Sequence, residues 1–171
     1  RLGCPILRTV SGSGVAEGGS FAWLNGKTAV IGLSSRVNEE GARQVEEVLR
    51  SQGVELLKVT LTGYRLHIDG LCVMLAPDLA LASITLLPFW FLERLDALGI
   101  RRIEVHHEDD SSIINSLAIA PGRVVMPEGV SEHTQDQLRL AGVQVITIPY
   151  DKMIAGGGLH CSTAPLVRDE V

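Results

Sequence analysis

The 171-residue sequence lacks any surplus of positive charge: 15 Lys and Arg stand against 20 Asp and Glu, a net charge of −5, and the basic residues are scattered. A nucleic-acid partner would need a basic stripe or patch, so that class is set aside. An acidic balance is compatible with a cationic small molecule without requiring one. The apolar core of a signal peptide is missing near Arg1, and the sequence does not open on Met, so a fragment or a processed chain is expected. A long unbroken apolar run is missing too. The best candidate, Leu71 to Leu92, is interrupted by Pro77-Asp78 and Pro88 and diluted by Ser83 and Thr85, so two buried strands and a helix start are expected there and a membrane partner is not. Cysteine is scarce: Cys4, Cys72 and Cys161 are widely spaced and cannot all pair, which points to free thiols in a reducing, cytoplasmic setting. Gly12-x-Gly14 wants the third glycine and the strand-loop-helix context of a dinucleotide site. What remains, 46% hydrophobic and 20% charged, is an ordinary globular composition with room for one core in one or at most two domains.

What the sequence does hold is a repeated order. Phe21 to Leu24, Asn25-Gly26 and Thr28 to Leu33 read as a hairpin, with Asn-Gly suited to a type I′ turn. Asn38 then caps a helix carrying Ala42, Val45 and Leu49 on one face, Gly53 ends it, and Val54 to Val59 reads as a strand. The same order returns at Leu66 to Leu75, Pro77-Asp78, Leu79 to Ser83, a helix opened by Pro88 and closed by Gly99, and Ile100 to Val105. It returns again at Ile113 to Ile119, Pro121-Gly122, Arg123 to Met126, a helix capped by Ser131 and closed by Gly142, and Val143 to Ile148. The fold class is therefore α/β, built from a ββαβ unit of roughly 45 residues that occurs three times, a period typical of propellers and arrays.

In such an architecture equivalent positions face the same place. Glu17, His67, Asn115 and Cys161 follow one another at separations of 50, 48 and 46 residues, which keeps the period. The repeat thus brings Glu17, His67, Asp69 and Cys161 to one central site. Gly156-Gly157-Gly158 delivers Cys161 from a stretch whose backbone can approach a ligand closely. His67 and Asp69, read as alternating along a strand, would point the same way.

Cys161 is nucleophilic as a thiolate, His67 can give and take protons near neutral pH, and two carboxylates beside a thiol call for a cation between them. A planar guanidinium meets that need, because its fork of N–H donors matches carboxylates and its charge favours the thiolate. Structural alternatives stand beside each reading. Cys161 can be a small buried residue, His67 a strand histidine bonded to Asp69, and Glu17 a carboxylate at a hairpin start. Asn115 suits holding backbone more than substrate. His160, adjacent to Cys161, should point away from it and is discounted as the base. The run His106-His107-Glu108-Asp109-Asp110 reads as a solvated loop, since consecutive residues after a strand diverge.

Glu17-Gly18-Gly19-Ser20, His67-Ile68-Asp69 and Gly156-Gly157-Gly158-Leu159-His160-Cys161, in this order, resemble the guanidino-group-modifying enzymes. That family includes arginine deiminase, agmatine deiminase, dimethylarginine dimethylaminohydrolase and the amidinotransferases. The resemblance implies a pentein-like αβ-propeller of five modules, of which residues 1–171 would supply the C-terminal part as one catalytic-type domain: three modules and the start of another. It implies Cys161 as nucleophile, His67 as acid and base, and Glu17 and Asp69 as ligands of a guanidinium substrate. No metal or organic cofactor is implied. The expected activity is hydrolysis through a covalent thiouronium on cysteine. Amidino transfer by the same residues, or a silent, incomplete propeller that binds or assembles, are the alternatives. Open edges lead us to expect a companion N-terminal segment or self-association.

Overall fold

Three glycines end three helices in the same way. Gly53, Gly99 and Gly142 have φ of +74°, +74° and +81°, the left-handed conformation that only glycine adopts freely. At each, the residue after the glycine donates its N–H to the carbonyl five positions back: Val54 to Leu49 at 3.0 Å, Ile100 to Leu95 at 2.9 Å, Val143 to Leu138 at 2.9 Å. Those apolar partners then seat the following strand against the helix. The computed structural model describes residue 3 and residues 5–109, 113–150 and 157–165. They divide into two compact units, Arg1–Ile68 with Ala164–Val171, and Asp69–Thr163.

The first unit holds one ββαβ module: β1 (Phe21–Asn25), β2 (Thr28–Leu33), α1 (Glu39–Ser51) and β3 (Glu55–Thr60). Its sheet runs in the order β1-β2-β3, the first pair antiparallel and the second parallel. Ala29, Ile31, Val37, Ala42, Leu49 and Leu56 form the core between sheet and helix. Asn38 caps α1 as expected, its Oδ1 accepting from Gly41 N at 2.8 Å. The same side chain reaches back to the incoming chain, accepting from Val15 N at 3.0 Å and donating to Ser13 O at 2.7 Å. Gln44 pairs with the backbone of Ser11 in both directions, so the Gly12-x-Gly14 turn is docked onto the helix.

The second unit holds two modules. One comprises β4 (Cys72–Ala76), β5 (Leu79–Ala82), α2 (Phe89–Ala97) and β6 (Arg101–Glu104); the other β7 (Leu117–Ala120), β8 (Arg123–Pro127), α3 (Glu132–Leu140) and β9 (Gln144–Ile148). Both sheets repeat the antiparallel-then-parallel order. Leu75, Leu79, Leu81, Ile103, Val124, Met126 and Leu138 pack in one cluster that joins the two modules. Phe91 and Leu95 of α2 are fully buried, each contributing about 1.5–3 kcal/mol of burial. No described helix is long and apolar enough to cross a membrane, and the run Leu71 to Leu92 is two strands and a helix start.

Two expectations are corrected. The Asn25-Gly26 turn is not type I′, because neither residue has a positive φ. Instead the hairpin register slips by one between Trp23 and Asn25, and Asn25 Oδ1 accepts from Lys27 N at 2.8 Å. A bulge supplies the twist that a primed turn would otherwise provide. The same slip recurs between Met74 and Ala76 and between Ala118 and Ala120, so it belongs to the module. The first hairpin strands of the second and third modules also start later than expected, at Cys72 and Leu117. The residues before them form tight turns, including a 3-10 turn at Ile68–Gly70.

Gly41 gives a prediction whose sign is opposite to helix propensity. Alanine normally gains about 1 kcal/mol over glycine inside a helix. Here a Cβ would lie 2.0 Å from Val15 O, a backbone atom. Gly41→Ala should lower the midpoint of urea unfolding, and a raised midpoint would contradict the close packing of residues 11–15 on α1.

Candidate active site

Glu17, His67, Asp69 and Asn115 lie in the short stretches just before the first strand of a module, and Cys161 lies in a short turn after the third module. Glu17 immediately precedes a 3-10 turn at Gly18–Ser20, Asp69 lies within the turn Ile68–Gly70, Asn115 is two residues before β7, and Cys161 sits in the turn His160–Ser162. His67 and Asp69 therefore do not alternate along a strand, and strand alternation gives no account of their side-chain directions.

In the first unit Glu17 and His67 meet. His67 Nε2 lies 2.7 Å from Glu17 Oε2 and donates to it when that nitrogen carries the proton. Glu17 Oε1 is 3.5 Å from Arg36 Nη1. The chain leading into His67 is fixed by two hydroxyls, Ser20 Oγ at 3.0 Å and Ser34 Oγ at 2.7 Å, both donating to Leu66 O. Ser20 is fully buried, so the last residue of the Glu17-Gly18-Gly19-Ser20 motif holds this segment in place.

In the second unit Asp69, Asn115, His160 and Cys161 meet. The Asp69 side chain is only 2% exposed, whereas Cys161 is exposed. Cys161 Sγ donates to Asp69 Oδ2 at 3.3 Å, and His160 Nδ1 lies 3.0 Å from the same oxygen. Asn115 grips the cysteine from both sides, Oδ1 accepting from Cys161 N at 3.0 Å and Nδ2 donating to Sγ at 3.2 Å. Its carbonyl also accepts from His160 N at 3.1 Å. Asn115 thus holds backbone as expected and touches the thiol as well. His160 departs from expectation: on a tight turn, adjacent side chains need not diverge as they do on a strand, and its ring reaches the carboxylate that also receives the thiol.

The glycines before Cys161 have two separate reasons. Gly157 has φ of +131°, and a Cβ there would stand 3.1 Å from Cys161 Cβ. A Cβ on Gly158 would stand 2.4 Å from Asn115 Oδ1. Any side chain would strain the turn or push Asn115 from the cysteine. Gly156 and Cys4 lie outside the described residues.

Burial raises the Cys161 thiol above its ordinary pKa, and the negative charge and hydrogen bond of Asp69 raise it further; Asn115 and the Gly158 N–H pull the other way. The thiol is thus held protonated. Complete burial pushes Cys72 up to about 12, which leaves it inert. Neither thiol is in a disulfide.

The histidine-rich run has a structural role at one member. Asp109 accepts from Ser131 N at 2.7 Å, Ser131 Oγ at 2.8 Å and Thr134 Oγ1, which ties the loop to the start of α3. His106 packs its ring against those of His107 and His133.

A thiol opposed by a carboxylate predicts its own response. In Asp69→Asn, Cys161 should react faster with iodoacetamide at neutral pH than in the parent, and its alkylation profile should move to lower pH. Peptide mapping should find Cys161 labelled ahead of Cys72 in both proteins. An unchanged profile in Asp69→Asn would contradict the electrostatic account.

Residues 95–168 match the family model of arginine deiminase. Among characterised proteins the chain is 24% identical over 199 residues to an arginine deiminase of Listeria welshimeri, covering 91% of this chain and 48% of that protein. Among solved structures it is similar to a dimethylarginine dimethylaminohydrolase of Pseudomonas aeruginosa complexed with citrulline, with 24% identity, a TM-score of 0.70, and 85% and 53% of the two chains covered. It is also similar to an inosamine-phosphate amidinotransferase of Streptomyces griseus, with 18% identity, a TM-score of 0.76, and 99% and 51% covered. The chain spans about half the length of these relatives. Its fold class is that of their pentein-like αβ-propellers of ββαβ modules, three of which are seen here. Sequence and fold together make the chain similar to the guanidino-group-modifying enzymes, the group of arginine deiminase, dimethylarginine dimethylaminohydrolase and the amidinotransferases.

Proposed function

We propose that the protein is a cysteine-dependent hydrolase of the deiminase or dimethylaminohydrolase type, acting on C–N bonds of an arginine-like guanidinium substrate. The observation that carries this reading is the exposed Cys161 thiol donating to the buried Asp69 carboxylate. A thiol so placed is a poor nucleophile until a cation neutralises the carboxylate. Guanidinium supplies that charge, and its planar N–H fork suits carboxylate oxygens. The substrate would thereby help activate the residue that attacks it.

In this reading Asp69 and Glu17 bind the guanidinium, Cys161 is the nucleophile and His67 the acid and base. Glu17, at 2.7 Å from His67 Nε2, would also orient that ring. The Cys161 thiol passes its proton to His67 as the sulfur bonds to the guanidinium carbon; one C–N bond breaks, and the departing nitrogen takes that proton from His67. Water then adds to the thiouronium carbon and gives one proton to His67. The C–S bond breaks, the sulfur takes that proton back from His67, and the remaining hydroxyl proton passes to the released amine as the ureido product forms. Each step is carried by this chain's own residues. The chain would form the C-terminal part of a five-module catalytic domain, with a companion N-terminal segment or a second copy completing the substrate's acidic surroundings.

The test is turnover of arginine-like substrates by the native protein, followed as ureido product and released ammonia or alkylamine. Cys161→Ala should abolish product, and His67→Asn should lower kcat by about 10²–10⁴-fold. Asp69→Asn should weaken substrate binding by roughly 1.5–3 kcal/mol, the worth of a charge-assisted hydrogen bond. Ureido product formed without any acceptor amine supports a hydrolase. Product formed only when an acceptor amine is added would mean an amidinotransferase, and guanidinium binding without turnover would mean a binding module.

A further inference from the structure

Tyr150 stands two residues beyond β9, outside any pattern in the sequence, yet its hydroxyl reaches the turn that carries Cys161. Tyr150 Oη lies 3.1 Å from Gly158 O and in hydrogen-bond contact with Ser162 Oγ, and Ser162 Oγ lies 3.1 Å from Gly158 O. Two hydroxyl protons serve these three contacts. One hydroxyl must donate to the Gly158 carbonyl while the other donates to the first hydroxyl's oxygen. The two residues therefore act as one hydrogen-bonded relay, and they close the turn across Cys161, from Gly158 before it to Ser162 after it.

Gly158 is the point where this closure bears on the sulfur. Its N–H is one of the two donors that favour the Cys161 thiolate, and its Cα packs so closely on Asn115 that no side chain fits. Asn115 is the other donor, at 3.2 Å. Holding the Gly158 carbonyl thus fixes the residue that supplies one donor and abuts the other. The relay is also peripheral: Tyr150 is half-buried and Ser162 is exposed.

We propose that Tyr150, acting through Ser162 and the Gly158 carbonyl, is a positioning residue that sets the reactivity of Cys161. The proposal rests on Cys161 being the nucleophile, but its test reads the thiol directly and does not need turnover. The rate of Cys161 alkylation by iodoacetamide is measured against pH by peptide mapping of the full chain. In Tyr150→Phe the ring remains and the hydroxyl is lost. The profile should move to higher pH, and the rate at neutral pH should fall about threefold to tenfold, the worth of one hydrogen bond. Ser162→Ala should move it the same way, Ser162→Thr should keep the parent profile, and the double variant should be little worse than either single one, because the relay acts as a unit. In the active protein, kcat should fall with KM held. A Tyr150→Phe profile that superimposes on the parent's overturns the proposal. If Tyr150→Phe fails to fold, Ser162→Ala decides, and an unshifted profile there overturns it equally. A shifted profile in a protein that turns over nothing would keep the relay and sink the hydrolase reading instead.

Discussion

The contact between the Cys161 thiol and the Asp69 carboxylate is the constraint on which the site depends. A carboxylate 98% shielded from solvent beside a sulfur can be tolerated in two ways: the thiol keeps its proton and donates it, or a cation arrives. The structure presents the first arrangement, with Sγ donating to Oδ2 at 3.3 Å. Chemistry on a guanidinium requires the second. Under the proposed guanidinium chemistry the site would be poised between a resting thiol and a thiolate whose stability depends on the charge of what binds.

Around that contact the backbone leaves little freedom. Asn115 takes both the N–H and the sulfur of Cys161, and Gly157 and Gly158 leave no space for side chains. Three bonds from one asparagine, its carbonyl to His160 N included, fix a short turn that regular secondary structure would not hold. In the first unit the paired Ser20 and Ser34 hydroxyls on the Leu66 carbonyl do the same work for the segment entering His67. In both units the candidate residues sit outside the strands and helices, in segments fixed by side chains reaching backbone.

Much of the module was legible because its signals are local. The Gly53-Val54, Gly99-Ile100 and Gly142-Val143 junctions are chemical requirements of a left-handed helix end, and Asn38 and Ser131 are caps with a donor to satisfy. The hairpin turn was misread because Asn-Gly is equally at home in a turn without positive φ once a bulge takes up the twist, and a bulge leaves no mark in composition. Strand starts were placed too early because apolar residues such as Ile68, Ile113 and Ile114 are buried in the tight turns as well as in the strands. Period alone singled out Glu17, His67, Asp69, Asn115 and Cys161 as candidates. It could not show that His160 turns back to Asp69, that Asp109 holds the Ser131 cap of α3, or that Tyr150 reaches Gly158, because each of these pairings is set by loop geometry with no repeat to reveal it.

The most direct measurement of the account is the titration of the Cys161 thiol in the presence and absence of an unreactive guanidinium compound, followed by thiolate absorbance or alkylation rate. The guanidinium charge beside Asp69 should lower the pH at which the thiolate forms, and replacing the guanidinium with a neutral urea of the same shape should leave it unmoved. A thiol that titrates at the same pH with guanidinium, with urea and with neither would contradict the claim that a bound cation frees Cys161 from Asp69.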